Sequence, residues 1–505
     1  MAASEEVETE RKYDIDTSTP LPALLDIPGV ERVAEPVEDR LEAVYFDTAS
    51  LALASRRITL RRRTGGTDYG WHLKIPSGPD QRHEIHAPLG QPEAVPEELV
   101  GHLLVHTRGE DILPIARLAT QRITHRLYGP GGEHLADFAD DHVHAEALDH
   151  SRPGMDWREW EIELVHGTGH LFAAAAETLA RAGARPAQND SKLARALGDS
   201  WPPERVAGTG RPRKKGPAVD VVTAYLGEQI HELLTHDPGV RLGETDAVHA
   251  MRSATRRARS ALATYRKLFN KAAGKKIEED LKWLALILGR ARDAEVMRER
   301  LRQHIHDLDA ADRSGPVIEP LEHELGTAYN AGYKKILKTL GTSRYFRLLE
   351  DLETFRDDPP ATSLASERAR PTTARLVDKA AKRLDRAHKA AKHSEDGAAH
   401  DAALHRVRKD AKRLRHAAES VAEIHGKRAR KLAKAAQRIQ RILGDHQDSV
   451  MARALLRRLR KVPDLPERTA LAYSRLHVRE ERIAHDTEAR YRKAHKKTRG
   501  IRLSR

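Results

Sequence analysis

The sequence contains no cysteine. This absence excludes disulfide bonds, thiolate metal sites and cysteine nucleophiles, and it leaves carboxylates and imidazoles as the available metal ligands. Aromatic residues are also scarce, at 4% of the chain. Few aromatics disfavour base stacking as a binding mode, and no motif that reads a DNA groove is present. Nucleic acid is therefore a weak candidate partner for this protein.

Long hydrophobic runs are missing too. No stretch approaches the roughly 20 apolar residues that a membrane-spanning helix needs. The first residues, "MAASEEVETE", are acidic, whereas a signal peptide begins with basic residues followed by an apolar stretch. We therefore expect a soluble, cytoplasmic protein without a membrane span. The sequence leaves the oligomeric state open.

Charge is distributed unevenly along the 505 residues. Residues 1–205 contain 22 Lys and Arg against 35 Asp and Glu, a net charge of −13. Residues 206–505 contain 66 basic and 40 acidic residues, a net charge of +26. A basic half of this size indicates a polyanionic partner, for which nucleic acid, an anionic membrane surface and polyphosphate are the candidates.

The segment "PPERVAGTGRPRKKGPAVD" (202–220) separates the acidic half from the basic half. It is rich in Pro, Gly and basic residues and has no apolar periodicity, which is typical of a linker. A chain of 505 residues is long enough for two domains that each bury a core. We predict domains at 1–201 and 218–505, joined by a linker at 202–217.

Before the linker, short stretches alternate between apolar and polar residues and are bounded by turn residues, as strands are. There are eight of them: "EVETERKYDI", "LEAVYFDT", "RITLRRRT", "YGWHLKIP", "QRHEIHA", "ATQRITHRLYG", "EHLADFADDHVHA" and "REWEIELVHG". Two helical stretches, "PEELVGHLLVHT" and "GTGHLFAAAAETLARAG", interrupt them. We predict an α+β domain whose eight antiparallel strands close into a barrel with flanking helices.

After the linker, Ala, Leu, Lys and Arg recur with helical periodicity, which predicts an all-α bundle. The pattern also repeats. The stretch "VHAMRSATRRARSAL" from Val248 aligns with "LHRVRKDAKRLRHAA" from Leu404, and "LALILGRARDAEVM" (284–297) aligns with "IQRILGDHQDSVM" (439–451). A duplicated helical unit of this kind predicts an internal two-fold repeat.

Charged residues in the predicted strands are spaced two apart, so they share one face of each strand. Carboxylates occupy the first and last strands, at Glu8, Glu10, Glu161 and Glu163, whereas Arg and Lys occupy strands between them. Taken singly, each charged face is explained by contact with water. If all of them face inward, they form a tunnel with an acidic wall and a basic wall, which a phosphate ligand with divalent cations would neutralise.

The motif "ETERK", Glu8-x-Glu10-x-Lys12, matches the E-x-E-x-K signature of the CYTH, or triphosphate tunnel metalloenzyme, superfamily. The stretches "YFDT", "LRRR", "WHLK", "WEIEL" and "NDSK" follow in that family's order, so the resemblance covers residues 5–200. The resemblance implies an antiparallel tunnel that binds triphosphate compounds and, in many members, hydrolyses them with Mg²⁺ or Mn²⁺.

The same resemblance implies roles for individual residues. Glu8, Glu10 and Lys12 match the catalytic positions. The implied metal ligands are Glu8, Glu10, Asp140, Glu161 and Glu163, with Asp137 and Asp141 as alternatives to Asp140 because the register of "FADDHV" is ambiguous. The implied phosphate-binding residues are Lys12, Arg61, Arg63, Lys74 and Arg122, with Lys192 closing the site. In such a site the metal and the basic wall neutralise the phosphate while water attacks the terminal phosphorus in line and a diphosphate leaves.

In both helical copies, a histidine and three basic residues follow one stripe of a helix. They are His249, Arg252, Arg256 and Arg259 in the first copy and His405, Arg408, Lys412 and Arg415 in the second. One such stripe is typical of a solvated face, but its recurrence favours a paired groove for a long, regularly charged anion. Residues 218–500 resemble the CHAD domain, which implies binding of inorganic polyphosphate. Protonation of the histidines beside a polyanion predicts tighter binding as the pH falls toward about 6.

Two functions follow from these features. The first is a metal-dependent triphosphatase whose helical domain binds polyphosphate. The alternative is a non-catalytic polyphosphate-binding protein located at polyphosphate granules. The sequence leaves open which triphosphate is the substrate, whether the tunnel is active, and whether Mg²⁺ or Mn²⁺ serves.

Overall fold

The structure is a computed structural model that describes residues 4–78, 80–92, 94–149, 153–205, 210–309, 316–498 and 500–504. It divides into two compact units, Met1–Val206 and Ala207–Arg505. Within the predicted linker 202–217, residues 206–209 lie outside the described residues. The limits predicted for the two domains and the linker stay a prediction.

The first unit is a closed antiparallel β-barrel. Its strands are β1 (Ser4–Asp14), β2 (Arg32–Val33), β3 (Val37–Asp47), β4 (Thr59–Thr64), β5 (Gly70–Gly78), β6 (Gln81–Ala87), β7 (Leu113–Tyr128), β8 (His134–Ala147), β9 (Met155–Leu164) and β10 (Arg185–Pro186). The eight long strands pair in the order β1-β6-β5-β4-β3-β7-β8-β9, and β9 pairs back with β1. Each of the eight predicted stretches forms one of these strands, so the predicted barrel is confirmed.

The barrel closes because β1 serves two neighbours. Its first half, from Ser4 to Thr9, pairs with β6, and its second half, from Glu10 to Asp14, pairs with β9. This division places Glu10 opposite Glu163, its Cα partner on β9. The closing seam therefore brings carboxylates from the first and last long strands together.

Helices cover the apolar outer faces of the barrel strands. They are α1 (Glu97–Thr107) and α2 (His170–Arg181), whereas α3 (Lys192–Leu197) packs against residues on the inward faces of the strands. Leu60 and Leu73 pack in one core cluster with Leu99 of α1, and Trp160 packs in another with Leu171 of α2. Because strand side chains alternate, burying the apolar face outside turns the charged face into the barrel.

The second unit is helical throughout its described residues, apart from two isolated β-bridges. Its helices are α4 (Ala218–Leu242), α5 (Ala247–Tyr265), α6 (Lys271–His306), α7 (Glu319–Leu340), α8 (Ser343–Asp357), α9 (Ala369–Lys392), α10 (Ala398–Glu419), α11 (Ala422–His425), α12 (Lys427–Leu459) and α13 (Glu467–Thr498). In the described parts of the chain, none of the helices has the combination of length and hydropathy that crossing a bilayer requires.

Helices α5 and α10 pack against each other within the second unit. The Tyr265 hydroxyl on α5 donates a hydrogen bond to the Ala417 carbonyl at 3.2 Å, and His416 Nδ1 lies 3.0 Å from the Ser260 hydroxyl. Small residues such as Ala258 and Ala411 are fully buried on the two helices. This packing brings the two predicted basic stripes into one region.

Candidate functional sites

The barrel interior is a polar cavity with about 880 Å³ of empty space, part of it open to solvent. Its lining includes ten of the eleven residues that the sequence assigns to the tunnel: Glu8, Glu10, Lys12, Arg61, Arg63, Lys74, Arg122, Glu161, Glu163 and Lys192. The structure thus gathers side chains from six elements, although their individual roles stay predictions.

Carboxylates at the β1–β9 seam are held close together in a buried setting. Burial and the neighbouring Glu8 carboxylate raise the pKa of Glu163 to about 7. Burial also raises the pKa of Glu8. Burial would raise the pKa of Glu10 as well, but Lys12 and Lys74 hold it down at about 2. Crowded, buried carboxylates of this kind are the usual setting for a divalent cation, which removes their mutual repulsion.

Two lysines neutralise carboxylates of the acidic wall. Lys12 Nζ donates to Glu10 Oε2 at 2.6 Å and also to Glu161. Lys74 Nζ donates to Glu8 Oε1 at 2.6 Å. Each of these two lysines therefore has an anionic partner among the cavity carboxylates.

A buried acidic triad lies at the inner end of this network. Asp141, Glu159 and Glu161 are all buried, and their oxygens lie close enough to hold one metal ion. Lys192 Nζ lies 2.8, 2.7 and 2.6 Å from the three carboxylates in that order. Arg122 completes the network with two hydrogen bonds to Asp141, at 2.7 and 2.6 Å, and one to Glu161 at 2.6 Å. The oxygen donor set fits Mg²⁺ or Mn²⁺, and the ammonium group shows that the three carboxylates converge on one cation position.

Asp140 is the prediction that the structure corrects. Its carboxylate accepts hydrogen bonds from Arg158 at 2.8 and 2.7 Å, on the outer side of the barrel. Asp141, the next residue, points inward instead and pairs with Arg122. Since neighbouring strand residues face opposite sides, only one of two adjacent aspartates can reach the interior, and the sequence assigned the wrong one.

Strand β6 contributes two interior residues that the sequence analysis missed. Arg82 and Glu84 both line the cavity. Glu84 Oε2 lies 3.3 Å from Lys74 Nζ, and its Oε1 lies 2.7 Å from His72 Nδ1. The alternation in "QRHEIHA" would have placed Arg82 and Glu84 on one face, so the signal was present in the sequence.

In the helical unit, four cations from α5 and α10 lie close together: Arg252, Arg256, Arg408 and Lys412. Burial and the nearby Arg256 and Arg408 lower the pKa of Lys412 to about 7. Burial and the nearby Arg252 and Arg408 lower the pKa of Arg256 to about 10. Among the described residues, the buried Nε atoms of all three arginines lack a hydrogen-bond partner. We call these four residues the cation cluster.

The other residues of the two stripes lie around the cation cluster or have other partners. Burial and Arg292 lower the pKa of His249, and burial lowers the pKa of His405. Arg415 donates to Glu419 at 2.7 Å, and Arg259 lies near Arg413. The closely placed cations therefore come from the two middle positions of each stripe, and the groove stays a prediction.

Comparison with protein-family models matches the CYTH domain over residues 6–197 and the CHAD domain over residues 224–457. Two uncharacterized proteins from Mycobacterium tuberculosis strains are each 39% identical to this chain, over 98% of this chain and 98% of the relative. The similarity thus spans both units.

Several solved structures are similar to part of this chain. PptA from Streptomyces chartreusis has 22% identity and a TM-score of 0.47, covering 55% of this chain and 99% of that chain. The CHAD domain from the plant Ricinus communis has 25% identity and a TM-score of 0.46, covering 57% and 94%. HpAC1 from Hippeastrum, described as having a dominant triphosphatase activity, has 18% identity and a TM-score of 0.24, covering 38% and 95%. From the family matches, the chain is a two-domain protein in which a CYTH domain is followed by a CHAD domain.

Proposed function

We propose that the CYTH domain hydrolyses inorganic triphosphate or a related triphosphate compound with Mg²⁺ or Mn²⁺, and that the CHAD domain binds inorganic polyphosphate. The observation that carries the first part is the pairing of a largely buried acidic wall with a partly buried basic wall inside one cavity. Neither wall is stable alone, because buried charges need partners. A triphosphate with a divalent cation supplies a partner to both.

The proposed binding step is an exchange of partners. Glu8, Glu10, Glu161 and Glu163 would hold the cation, with Asp141 taking the place first given to Asp140. Lys12 and Lys74, freed from their carboxylates, would turn to phosphate oxygens together with the residues of the basic wall, Arg61, Arg63, Arg122 and Lys192. The bound cation would supply charge neutralisation and orientation of the attacking water. Since each lysine is released by the same exchange, metal and triphosphate should bind cooperatively.

A phosphate-release assay with tripolyphosphate tests the enzyme proposal. The full chain should release phosphate with Mg²⁺ or Mn²⁺, and Glu10→Gln should lose most of this turnover because it weakens the proposed metal site. Glu5→Gln is the matched control, since Glu5 is exposed on the same strand outside the cavity lining. Full activity in Glu10→Gln would contradict the metal assignment.

The same assay with thiamine triphosphate, nucleoside triphosphates and long-chain polyphosphate identifies which compound the protein hydrolyses. Turnover of tripolyphosphate alone would support the proposal in its simplest form. If no substrate releases phosphate and the protein binds polyphosphate tightly, the second candidate is favoured, a non-catalytic polyphosphate-binding protein at polyphosphate granules. The cation cluster favours that candidate because it can bind a polyanion without any chemistry in the tunnel.

Polyphosphate binding is supported by the buried guanidinium Nε atoms, which have no acceptor among the described residues. Leaving such donors unsatisfied is unfavourable, and phosphate oxygens would satisfy them. Competition between polyphosphate and duplex DNA at fixed salt is the appropriate test, because salt dependence alone does not separate two polyanions. Displacement of polyphosphate by equimolar DNA would contradict the proposal.

The internal repeat of the CHAD domain is part of the same proposal. Gly289 on α6 lies against Arg252, and Gly444 on α12 lies against Arg408, so that an added Cβ would stand 3.4 and 3.7 Å from the respective guanidinium groups. Arg252 also pairs with Asp293 at 2.9 Å, and the aligned Asp448 lies near Arg408. These matching contacts support a duplicated unit in which each copy positions one arginine of the cation cluster.

A further inference from the structure

Three potential metal ligands meet at the rim of the barrel, on the β4–β5 hairpin and strand β6. They are Asp68, His72 and His86, whose ligand atoms all lie within 4.8 Å of one another. Asp68 Oδ1 is 3.7 Å from His72 Nε2 and 4.0 Å from His86 Nε2. Two imidazoles and a carboxylate form a donor set that suits Zn²⁺ and similar transition metals rather than Mg²⁺.

His72 provides the observation that points to a ligand. Its side chain is 1% exposed, and its Nδ1 lies 2.7 Å from Glu84 Oε1. Because the Glu84 carboxylate can only accept, Nδ1 carries the proton and Nε2 has a free lone pair. Among the described residues, this buried Nε2 has no hydrogen-bond partner. A carboxylate on one imidazole nitrogen and a metal on the other is the usual arrangement at protein metal sites.

The His86 imidazole lies close to Asp68 and His72 because the neighbouring hairpin residue, Gly70, has no side chain. A Cβ at Gly70, where φ is +150°, would lie 2.3 Å from His86 Nε2 and 2.6 Å from the Ala87 carbonyl oxygen. His86 Nε2 lies 3.1 Å from the Tyr69 carbonyl oxygen, a hydrogen bond that metal binding would replace. Glycine at this position therefore lets the imidazole approach the end of the hairpin.

Asp68 links this group to the tunnel. Its Oδ2 pairs with Arg63, whose Nε also donates to the Asp68 backbone carbonyl at 2.8 Å. Its other oxygen, Oδ1, faces the two histidines. Asp68 itself lines the cavity. A metal on Oδ1 would leave the Arg63 pair intact and fix the hairpin end at the rim of the cavity.

We propose that Asp68, His72 and His86 form a transition-metal site, with Zn²⁺ as the model ion, that is separate from the carboxylate site inside the tunnel. The proposal does not depend on hydrolysis of a triphosphate. A metal at this site would anchor the β4–β5 hairpin, which carries Asp68, beside the basic wall.

Zinc binding is measured with the full chain in two ways. Crystals grown with Zn²⁺ should show anomalous density about 2.0–2.2 Å from His72 Nε2, His86 Nε2 and an Asp68 oxygen. In solution, competition against a chromophoric chelator in excess Mg²⁺ should show Zn²⁺ affinity falling at least about tenfold in His86→Gln. Asp68→Asn should show the same loss, but it also removes the charge partner of the buried Arg63, so His86→Gln is the variant that decides.

The control variant is His166→Gln, which removes one exposed histidine elsewhere in the same domain. It should bind Zn²⁺ as the wild type does, and Glu10→Gln should also keep the rim density. Equal Zn²⁺ affinity in wild type and His86→Gln would overturn the proposal. Density at the rim without any difference in solution would show binding at crystal concentration only, and absence of rim density beside zinc bound elsewhere would equally reject the site.

Discussion

Lys412 is a residue whose removal should stabilise the unliganded protein while weakening polyphosphate binding. Its pKa falls from 10.5 to about 7, first through burial and then through the guanidinium groups of Arg256, Arg408 and Arg252. At about 1.36 kcal/mol for each pKa unit, the charged form is disfavoured in the folded state by up to about 5 kcal/mol. Lys412→Met removes this charge and keeps the buried aliphatic stem.

The pH dependence has a definite sign. Below about pH 7, Lys412 is protonated in both the folded and unfolded states, so the whole penalty acts on the fold. Between about 7 and 10.5 the unfolded state binds more protons, so the stability of the wild type rises with pH. The advantage of Lys412→Met should therefore be largest at pH 6 and should disappear toward pH 10.5.

Scanning calorimetry in buffer free of polyanions measures this effect. If Lys412→Met removes about 2 kcal/mol of this penalty, the Tm of the helical domain's unfolding transition should rise by roughly 4–8 °C. Lys409→Met is the matched control, because it removes an exposed lysine from the same helix and should leave Tm nearly unchanged. Lys412→Met should at the same time bind polyphosphate more weakly. A Tm at pH 6 that is unchanged or lower in Lys412→Met would refute the assigned crowding of the cation cluster.

Three further predictions concern the barrel. In EDTA and above pH 7, Glu163→Gln should be more stable than the wild type. The pKa of Glu163 is raised to about 7, so the stability of the wild type falls as the pH rises from 4.5 to about 7. Thermal unfolding of both proteins at pH 5 and pH 8 measures the difference. Lys192→Met should lower the free energy of unfolding, measured by urea titration, by about 3–5 kcal/mol, because it leaves three buried carboxylates without the cation they share. Arg185→Met is the control: it removes one partner of an exposed ion pair and should change the free energy of unfolding little. Asp140→Asn should keep metal-dependent turnover near the wild-type rate while lowering Tm through the loss of the Arg158 pair; loss of turnover at unchanged Tm would contradict its outward placement.

The barrel could be predicted because its strands carry charge and apolar residues with a strict period of two. In "WEIEL", charged and apolar residues alternate, so parity separates the interior from the exterior; in "ETERK", Glu8, Glu10 and Lys12 share one parity, although Arg11 on the other face is charged too. Parity fails where both neighbours are acidic. Asp140 and Asp141 are chemically identical, and only the pairing of β8 with β7, which sets Asp141 opposite Arg122, distinguishes them.

The partners inside the tunnel could not be predicted, because they depend on closure. Glu10 meets Glu163 only because β1 pairs with β9 as well as with β6, which closes the barrel. Lys192 reaches the acidic triad from the first turn of α3 and not from any strand. The local periodicity of the sequence predicts neither the Glu10–Glu163 contact nor the position of Lys192, because both arise between residues far apart in the chain.

The two basic regions differ in a way that suits two different tasks. In the tunnel, Lys12, Lys74 and Lys192 are each engaged by carboxylates, so an anion alone gains little by displacing them. Under the proposed function, a ligand that brings its own divalent cation would supply new partners to both sides, and the tunnel would thereby favour metal-bound phosphates. In the cation cluster, Lys412 and Arg256 lie beside other cations, and their pKa values are lowered first by burial and then by these neighbouring charges. Under the proposed function, a polyanion would relieve the repulsion between these cations directly, without a metal, so the CHAD domain would bind a phosphate chain under conditions in which the tunnel carboxylates keep their own lysine partners.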